Sequence, residues 1–299
     1  MTHARTLLVW MLLAGGTSAS LAQSGKVWTA EELFRRNVGT TQQQDTQFPP
    51  HKIIGNLYYV GTEALGSFLV ATPEGLILIN TDYERTVPVI RSSVEKLGFR
   101  FTDIKIILGS HAHADHMQGD ALVKELTGAR VMAMEQDVPA LRAMTPGNKP
   151  HPIDRILHDG EEVTLGGSTL VAHLTPGHTR GDTTWTMKAQ DGGKSYDVVI
   201  IGSMGVNPGF QLVNNPQVPQ IADEYKQGFR VLRALPCDVP LGSHPAMYRL
   251  AEKYPNLGKG PNPFIDPAGY RAELDIQENA FLAILAQQEK AQQKKAAEN

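Results

Sequence analysis

The chain has 299 residues, 41% apolar and 20% charged, with 28 Gly and 19 Pro; this balance excludes disorder, a collagen-like repeat and a coiled coil, and leaves enough chain for a sizeable core. Its 28 basic and 31 acidic residues give a net charge of −3, without the basic footprint of a nucleic-acid binder. Its 1 cysteine, Cys237, excludes an internal disulfide and a cysteine-rich zinc finger, and reads as a small buried apolar residue.

The first 22 residues have the order of an export signal. His3 and Arg5 form a polar start, Leu7 to Ala14 an apolar run too short to span a bilayer, and Ser20-Leu21-Ala22 a small-residue processing site before Gln23. This predicts a periplasmic protein whose mature chain, residues 23–299, is a single domain with no membrane span and a polar tail from about residue 289.

Strand and helix signals then alternate. Lys52–Gly61 and Ser67–Ala71 read as strands rich in β-branched and aromatic residues, followed by a Thr72-Pro73-Glu74-Gly75 turn and a buried strand, Leu76–Asn80. Thr86 and Pro88 open a helix that Gly98 closes. Ile104–Leu108 is a short apolar strand, of the kind covered on both faces. Asp120–Leu126 is a predicted helix and Arg130–Met134 a strand. Thr169–Leu174, Thr183–Lys188 and Asp197–Ile201 are further strands. Asp223–Leu235 is a helix, Asp238–Leu241 a strand and Pro267–Gln288 a long helix, with the remaining residues fraying. Strands in bunches with helices between them suit an α/β sandwich of two sheets with helices outside.

The sharpest feature directly follows Ile104–Leu108: Ser110-His111-Ala112-His113-Ala114-Asp115-His116. Three imidazoles and a carboxylate in so short a run are costly to desolvate without a partner, and they are the donors zinc accepts. In an extended segment His111 and His113 point to one side and can share a metal, while Asp115 and His116, where the chain turns toward a helix, can face a second. Thr175-Pro176-Gly177-His178 and Gly242-Ser243-His244-Pro245 also follow strands. One rim would collect His111, His113, Asp115, His116, His178 and His244. The other histidines carry no assigned role: His3 lies in the signal, His51, His158 and His173 are structural or solvent-facing, and His151 approaches the site only if its loop folds over.

At these residues the chain resembles the metallo-β-lactamase superfamily, through the His-x-His-x-Asp-His motif at His111–His116 and Thr-Pro-Gly-His at Thr175–His178. Within it the chain resembles class B, subclass 3. Ser203 carries that distinction: glyoxalase II and lactonases place a metal-bridging Asp there, and the first two lactamase subclasses a zinc-binding Cys. The resemblance implies an αβ/βα sandwich of two mixed β-sheets flanked by helices. It also implies two Zn2+, one on His111, His113 and His178, the other on Asp115, His116 and His244.

The implied activity is hydrolysis of the β-lactam amide of penicillins, cephalosporins and carbapenems, a route to antibiotic resistance. Water activated by the metals attacks the ring, Asp115 orients it, and Ser203 binds substrate rather than acting as nucleophile. Two departures from the pattern stand out. Gly205 occupies a position where relatives often carry a second hydroxyl for the substrate carboxylate, and Asn80 stands where many members have Asp. Some relatives also pair a cysteine at the Cys237 position, which this chain cannot. The loops Met204–Gln220 and Pro139–Arg155 are read either as apolar walls of a substrate groove or as ordinary loop packing. The partner is a small β-lactam, with no nucleic acid, and the protein is expected to be a monomer. A lactone or thioester hydrolase of the same superfamily, or a non-catalytic zinc-binding protein, are the alternatives.

Overall fold

Continuous apolar runs in the middle of the chain dictate two central sheets. The computed structural model describes residues 26–298, so the expected export segment lies outside the described residues. The first sheet holds β1 (His51–Ile54), β2 (Leu57–Tyr59), β3 (Phe68–Thr72), β4 (Gly75–Ile79), β5 (Ile104–Leu108), β6 (Arg130–Met134) and β7 (Arg155–Leu157), in that order. Pairing is antiparallel from β1 to β4 and parallel from β4 to β7. The second sheet holds β8 (Glu162–Leu165), β9 (Ser168–Leu174), β10 (Thr183–Asp191), β11 (Lys194–Ile201) and β12 (Val239–Gly242), ordered β12-β11-β10-β9-β8. Its strands are antiparallel except for the parallel pair of β11 and β12.

Helices connect and cover the sheets: α1 (Ala30–Val38), α2 (Thr41–Asp45), α3 (Val87–Lys96), α4 (Ala114–Met117), α5 (Asp120–Thr127), α6 (Val138–Ala143), α7 (Ile221–Ala234), α8 (Leu250–Lys253) and α9 (Pro267–Glu298). Side-chain alternation assigns each sheet two buried faces. In β4, Ile77 and Ile79 point between the sheets, where they meet Trp185, Val198 and Ile200, while Leu76 and Leu78 point outward onto Val87, Ile90 and Val94 of α3. In β11, Val199 and Ile201 point the other way, onto Tyr225 and Phe229 of α7 and Leu274 and Phe281 of α9. The result is the expected sandwich: helix, sheet, sheet, helix.

Several elements depart from expectation. The single strand predicted over Lys52–Gly61 is a hairpin, because Gly55 takes a left-handed φ of 54° and turns β1 back onto β2. Thr86 does not cap α3 with its side chain; its hydroxyl donates to the Tyr83 carbonyl at 2.8 Å. The polar tail stays helical to Glu298, since Ala, Gln, Lys and Glu are good helix formers even without a buried face. His51 is buried at the start of β1, stacked among Tyr59, Tyr254 and Phe264.

A candidate metal centre at the strand ends

The C-terminal ends of β4, β5, β9, β11 and β12 open onto one edge of the sandwich, and the chain places its polar residues there. After β5, Trp185 Nε1 donates to the Gly109 carbonyl at 3.0 Å and pins the entry to the histidine run. The run is a bend rather than the regular extended segment expected, with His113 N donating to His111 O at 2.8 Å. The His111 and His113 rings still meet, centroids 4.8 Å apart. The short helix α4 then carries Asp115 and His116. His178 follows β9 through Gly177, whose φ is 141° and whose Cα lies so near Tyr225 that a Cβ would approach the ring to 2.7 Å. His244 follows β12 directly.

These residues form two trios, one of His111, His113 and His178, the other of Asp115, His116 and His244; within each, donor atoms lie within 4.8 Å of one another. The trios touch where the His111 and His116 rings come to 4.3 Å between centroids. Hydrogen bonds choose which nitrogen faces inward. His178 Nδ1 donates to the Gly205 carbonyl at 2.6 Å and His244 Nδ1 to the Ala64 carbonyl at 3.2 Å, which leaves each Nε2 with a free lone pair. His111 Nδ1 faces Asp182 Oδ2 and Ser110 Oγ, both at 3.3 Å.

Two buried carboxyls hold the loops in register. Asp137 accepts from Ala112 N at 2.8 Å, Thr179 Oγ1 at 2.9 Å and Gly181 N at 2.7 Å, tying the first histidine loop to the second. Asp182 accepts from Thr175 Oγ1 at 3.0 Å and Ser203 N at 3.1 Å while facing His111. Asn80 uses both ends of its amide, accepting from Ser110 N at 2.9 Å and donating to the Gly66 carbonyl at 3.0 Å. An Asp could not make the second bond, which gives the departure at this position a local reason. Its φ of 63° also suits Asn.

The electrostatics fit a cation. Burial pushes the His116 and His178 rings down to about 3, and the His111 and His244 rings are also lowered first by burial, so these imidazoles are neutral and ready to donate lone pairs. Burial raises Asp115, yet the surrounding His116, His244 and His113 rings outweigh it and bring the carboxyl to about 2. Burial pushes Asp82, held by the Ser67 hydroxyl, up to about 8, and raises Asp137 and Asp182 as well. A cation bound beside them would favour the ionised form of these desolvated carboxyls. Among the described residues, His111 Nε2 and both ring nitrogens of buried His116 lack hydrogen-bond partners, as metal-facing donors would.

The two trios open into a cleft lined by His113, Asp115, His178, His244, Ser203, Gly205, Val206 and Asn207, together with Tyr83 and with Phe34, Asn37 and Val38 of α1. Ser203, 4% exposed, thus stands at the site. Of the two loops expected as groove walls, Met204–Gln220 contributes only its first residues; Phe210, Leu212 and Val213 pack instead against α7 and α9. Pro139–Arg155 lines none of the cleft; its Leu141, Met144 and Ile153 pack instead with Ala112 within and Met117 just after the histidine run, and with Ala133 of β6. His151 is a buried bracing residue, its Nε2 3.1 Å from the Met117 carbonyl and 3.2 Å from Asp120. His158 is surface-exposed beside Glu135, and His173 bonds Thr186 within the second sheet. Cys237 is half-buried against the helix layer.

Asp137, Asp182 and the cleft face of α1 were not anticipated. Asp137 follows the end of β6, so the strand-end rule that singled out His178 and His244 also points to it. Nothing local marks Asn37 in α1.

A family profile described as the Metallo-beta-lactamase superfamily matches residues 67–244. The chain is 49% identical to the FEZ-1 metallo-beta-lactamase of Legionella gormanii, covering 82% of this chain and 98% of that one with a TM-score of 0.79. To BJP-1, a subclass B3 metallo-beta-lactamase of Bradyrhizobium japonicum, it is 36% identical, covering 84% and 98% with a TM-score of 0.77. Among curated relatives, the hydroxyacylglutathione hydrolase of Fuscovulum blasticum is 34% identical over 100 residues. The chain spans only 34% of the length of that relative. This chain belongs to the metallo-β-lactamase superfamily, and the solved structures it is similar to include subclass B3 enzymes. No helix among the described residues is long and apolar enough to cross a membrane.

Proposed function

We propose that this chain is an exported, monomeric, single-domain β-lactamase that uses two Zn2+ to hydrolyse the ring amide of penicillins, cephalosporins and carbapenems. His111, His113 and His178 would hold one ion, and Asp115, His116 and His244 the other. Zinc bound there supplies Lewis acidity, polarising a carbonyl and acidifying water near neutral pH. Asp115 is the one carboxylate lining the cleft among the described residues, and it orients the attacking water and holds the proton bound for the leaving nitrogen. Among the described residues no base hydrogen-bonds the Ser203 hydroxyl; its backbone N–H is spent on Asp182, and its hydroxyl remains to bind substrate.

The observation that carries this reading is the pairing of the His116-containing trio with Ser203, rather than an acid, on the cleft wall. The likeness to FEZ-1 over nearly its whole length supports it. Thioester hydrolysis is the second reading, favoured by the matches to hydroxyacylglutathione hydrolases and opposed by Ser203 where a bridging Asp is expected. The polar–apolar–small order of residues 1–22 supports export to the periplasm.

The test compares a carbapenem, an acyl-glutathione and an acyl-homoserine lactone, with and without chelator. Carbapenem turnover should vanish on chelation and return with zinc. Asp115→Asn should lower kcat by about a hundredfold or more. Turnover that survives complete metal removal, or preference for the thioester, would overturn the reading.

A further inference from the structure

Beside Ser203, Gly205 leaves a side-chain-sized notch in the cleft lining. Gly205 is not among the residues of positive φ, and a Cβ there would meet nothing nearer than Gln277 Oε1 at 3.9 Å and Asn37 Nδ2 at 4.0 Å. Both of those atoms come from buried side chains, Asn37 7% exposed and Gln277 1% exposed. Neither atom has a hydrogen-bond partner among the described residues, and Gln277 Oε1 is itself buried. One is a donor and the other an acceptor.

Their orientations follow from chemistry. Arg36 carries only donors, and its Nε bonds Asn37 Oδ1 at 3.0 Å, so the amide nitrogen of Asn37 must face the other way, toward Gly205. Arg36 also engages both oxygens of Glu273, with Nη1 3.0 Å from Oε2. Those oxygens can therefore only accept, and Gln277 Nε2 donates to Oε1 at 2.7 Å, which turns Gln277 Oε1 toward the notch. A single guanidinium fixes both amides.

We propose that Asn37, Gln277 and the missing side chain of Gly205 form a hydroxyl-sized subsite for a fixed water. That water accepts from Asn37 Nδ2 and donates to Gln277 Oε1. Its second hydrogen is then left to donate to the carboxylate of the substrate, alongside the Ser203 hydroxyl. The water does the work of the hydroxyl absent at position 205, and it gives the otherwise unpartnered Gln277 oxygen its partner. The anionic substrate rests on the β-lactamase reading; the water site rests on the geometry alone.

The experiment has a structural arm and a kinetic arm, both on the zinc-loaded enzyme. A high-resolution crystal structure should show an ordered water within hydrogen-bond reach of Asn37 Nδ2 and Gln277 Oε1; a notch without one overturns the proposal. Gly205→Ala expels the water without replacing its hydrogen bond, so KM for a penicillin should rise about tenfold while KM for its methyl ester moves less than about twofold. Gly205→Ser should restore the penicillin KM. Asn37→Leu should cost about tenfold in the original background and under about twofold on top of Gly205→Ser. Equal effects on acid and ester, or an Asn37→Leu loss that is the same in both backgrounds, overturn the proposal. An enzyme inert toward every β-lactam overturns the activity reading and the carboxylate role with it, while the crystallographic water still decides whether the subsite exists.

Discussion

The two donor trios are built from similar side chains but are braced differently. In the all-imidazole trio, His111 faces the buried Asp182, and Asp137 stitches together the loops that carry His111, His113 and His178 with three hydrogen bonds. In the trio containing Asp115, His244 leans on a backbone carbonyl and His116 has no hydrogen bond to either ring nitrogen. His178 and His244 each lean on a backbone carbonyl, so the added carboxyl braces around the first trio are what fix its rings more firmly. One half of the centre is thus preorganised by the fold, whereas the other would depend more on an ion bound there. Zinc should therefore fill the imidazole trio first.

The largest test removes a ligand from each half. His178→Ala should reduce kcat/KM by about a thousandfold or more and abolish tight zinc binding; His244→Ala should leave one zinc bound. Equilibrium dialysis with elemental analysis gives the count, and equal zinc losses in the two variants would break the comparison. A smaller effect is expected from Asp137→Asn, which sets an amide donor against a backbone N–H. Zinc affinity of the imidazole trio should fall about 10–100-fold in competition with a chromophoric chelator, with the other trio little changed.

The smallest effect is a pH dependence of the metal-free protein. His116 and His178 sit near 3 in the folded chain, against an ordinary 6.5, so between those values the unfolded chain binds more protons. Stability from these rings is fully present above about 6.5 and is lost progressively as pH falls toward the folded value. The melting temperature of chelated protein should decline from pH 7 to pH 4, and zinc should steepen the decline because protons compete for the same nitrogens. A flat profile would show that burial of the rings does not govern the metal-free state.

Much of this frame is legible in the residues. β4 is readable because a strand covered on both faces needs an unbroken apolar run, β5 because only the exposed Lys105 interrupts one, and four of the six candidate donors because no core explains three imidazoles and a carboxylate in so short a segment. What escaped reading has a physical cause in each case. Asp137 and Asp182 look like ordinary turn residues until partners distant along the chain meet them. Asn37 lies in an amphipathic helix whose cleft-facing side has no composition of its own. The break at Gly55 depends on one backbone angle, and the apolar residues of Met204–Gln220 suited a groove wall as well as the helix layer that claims them. Local pattern sets which face is buried; it does not name the element that covers it.

Every candidate donor sits in a connection beyond a strand end, and none lies inside a strand. The interior is thus chemically silent, a chassis of interlocked hydrocarbon with its working parts bolted to one lip. Insertions, deletions and exchanges in those connections can reshape what the lip accepts while the chassis stays intact, so catalytic repertoire and folding competence are free to evolve on separate schedules.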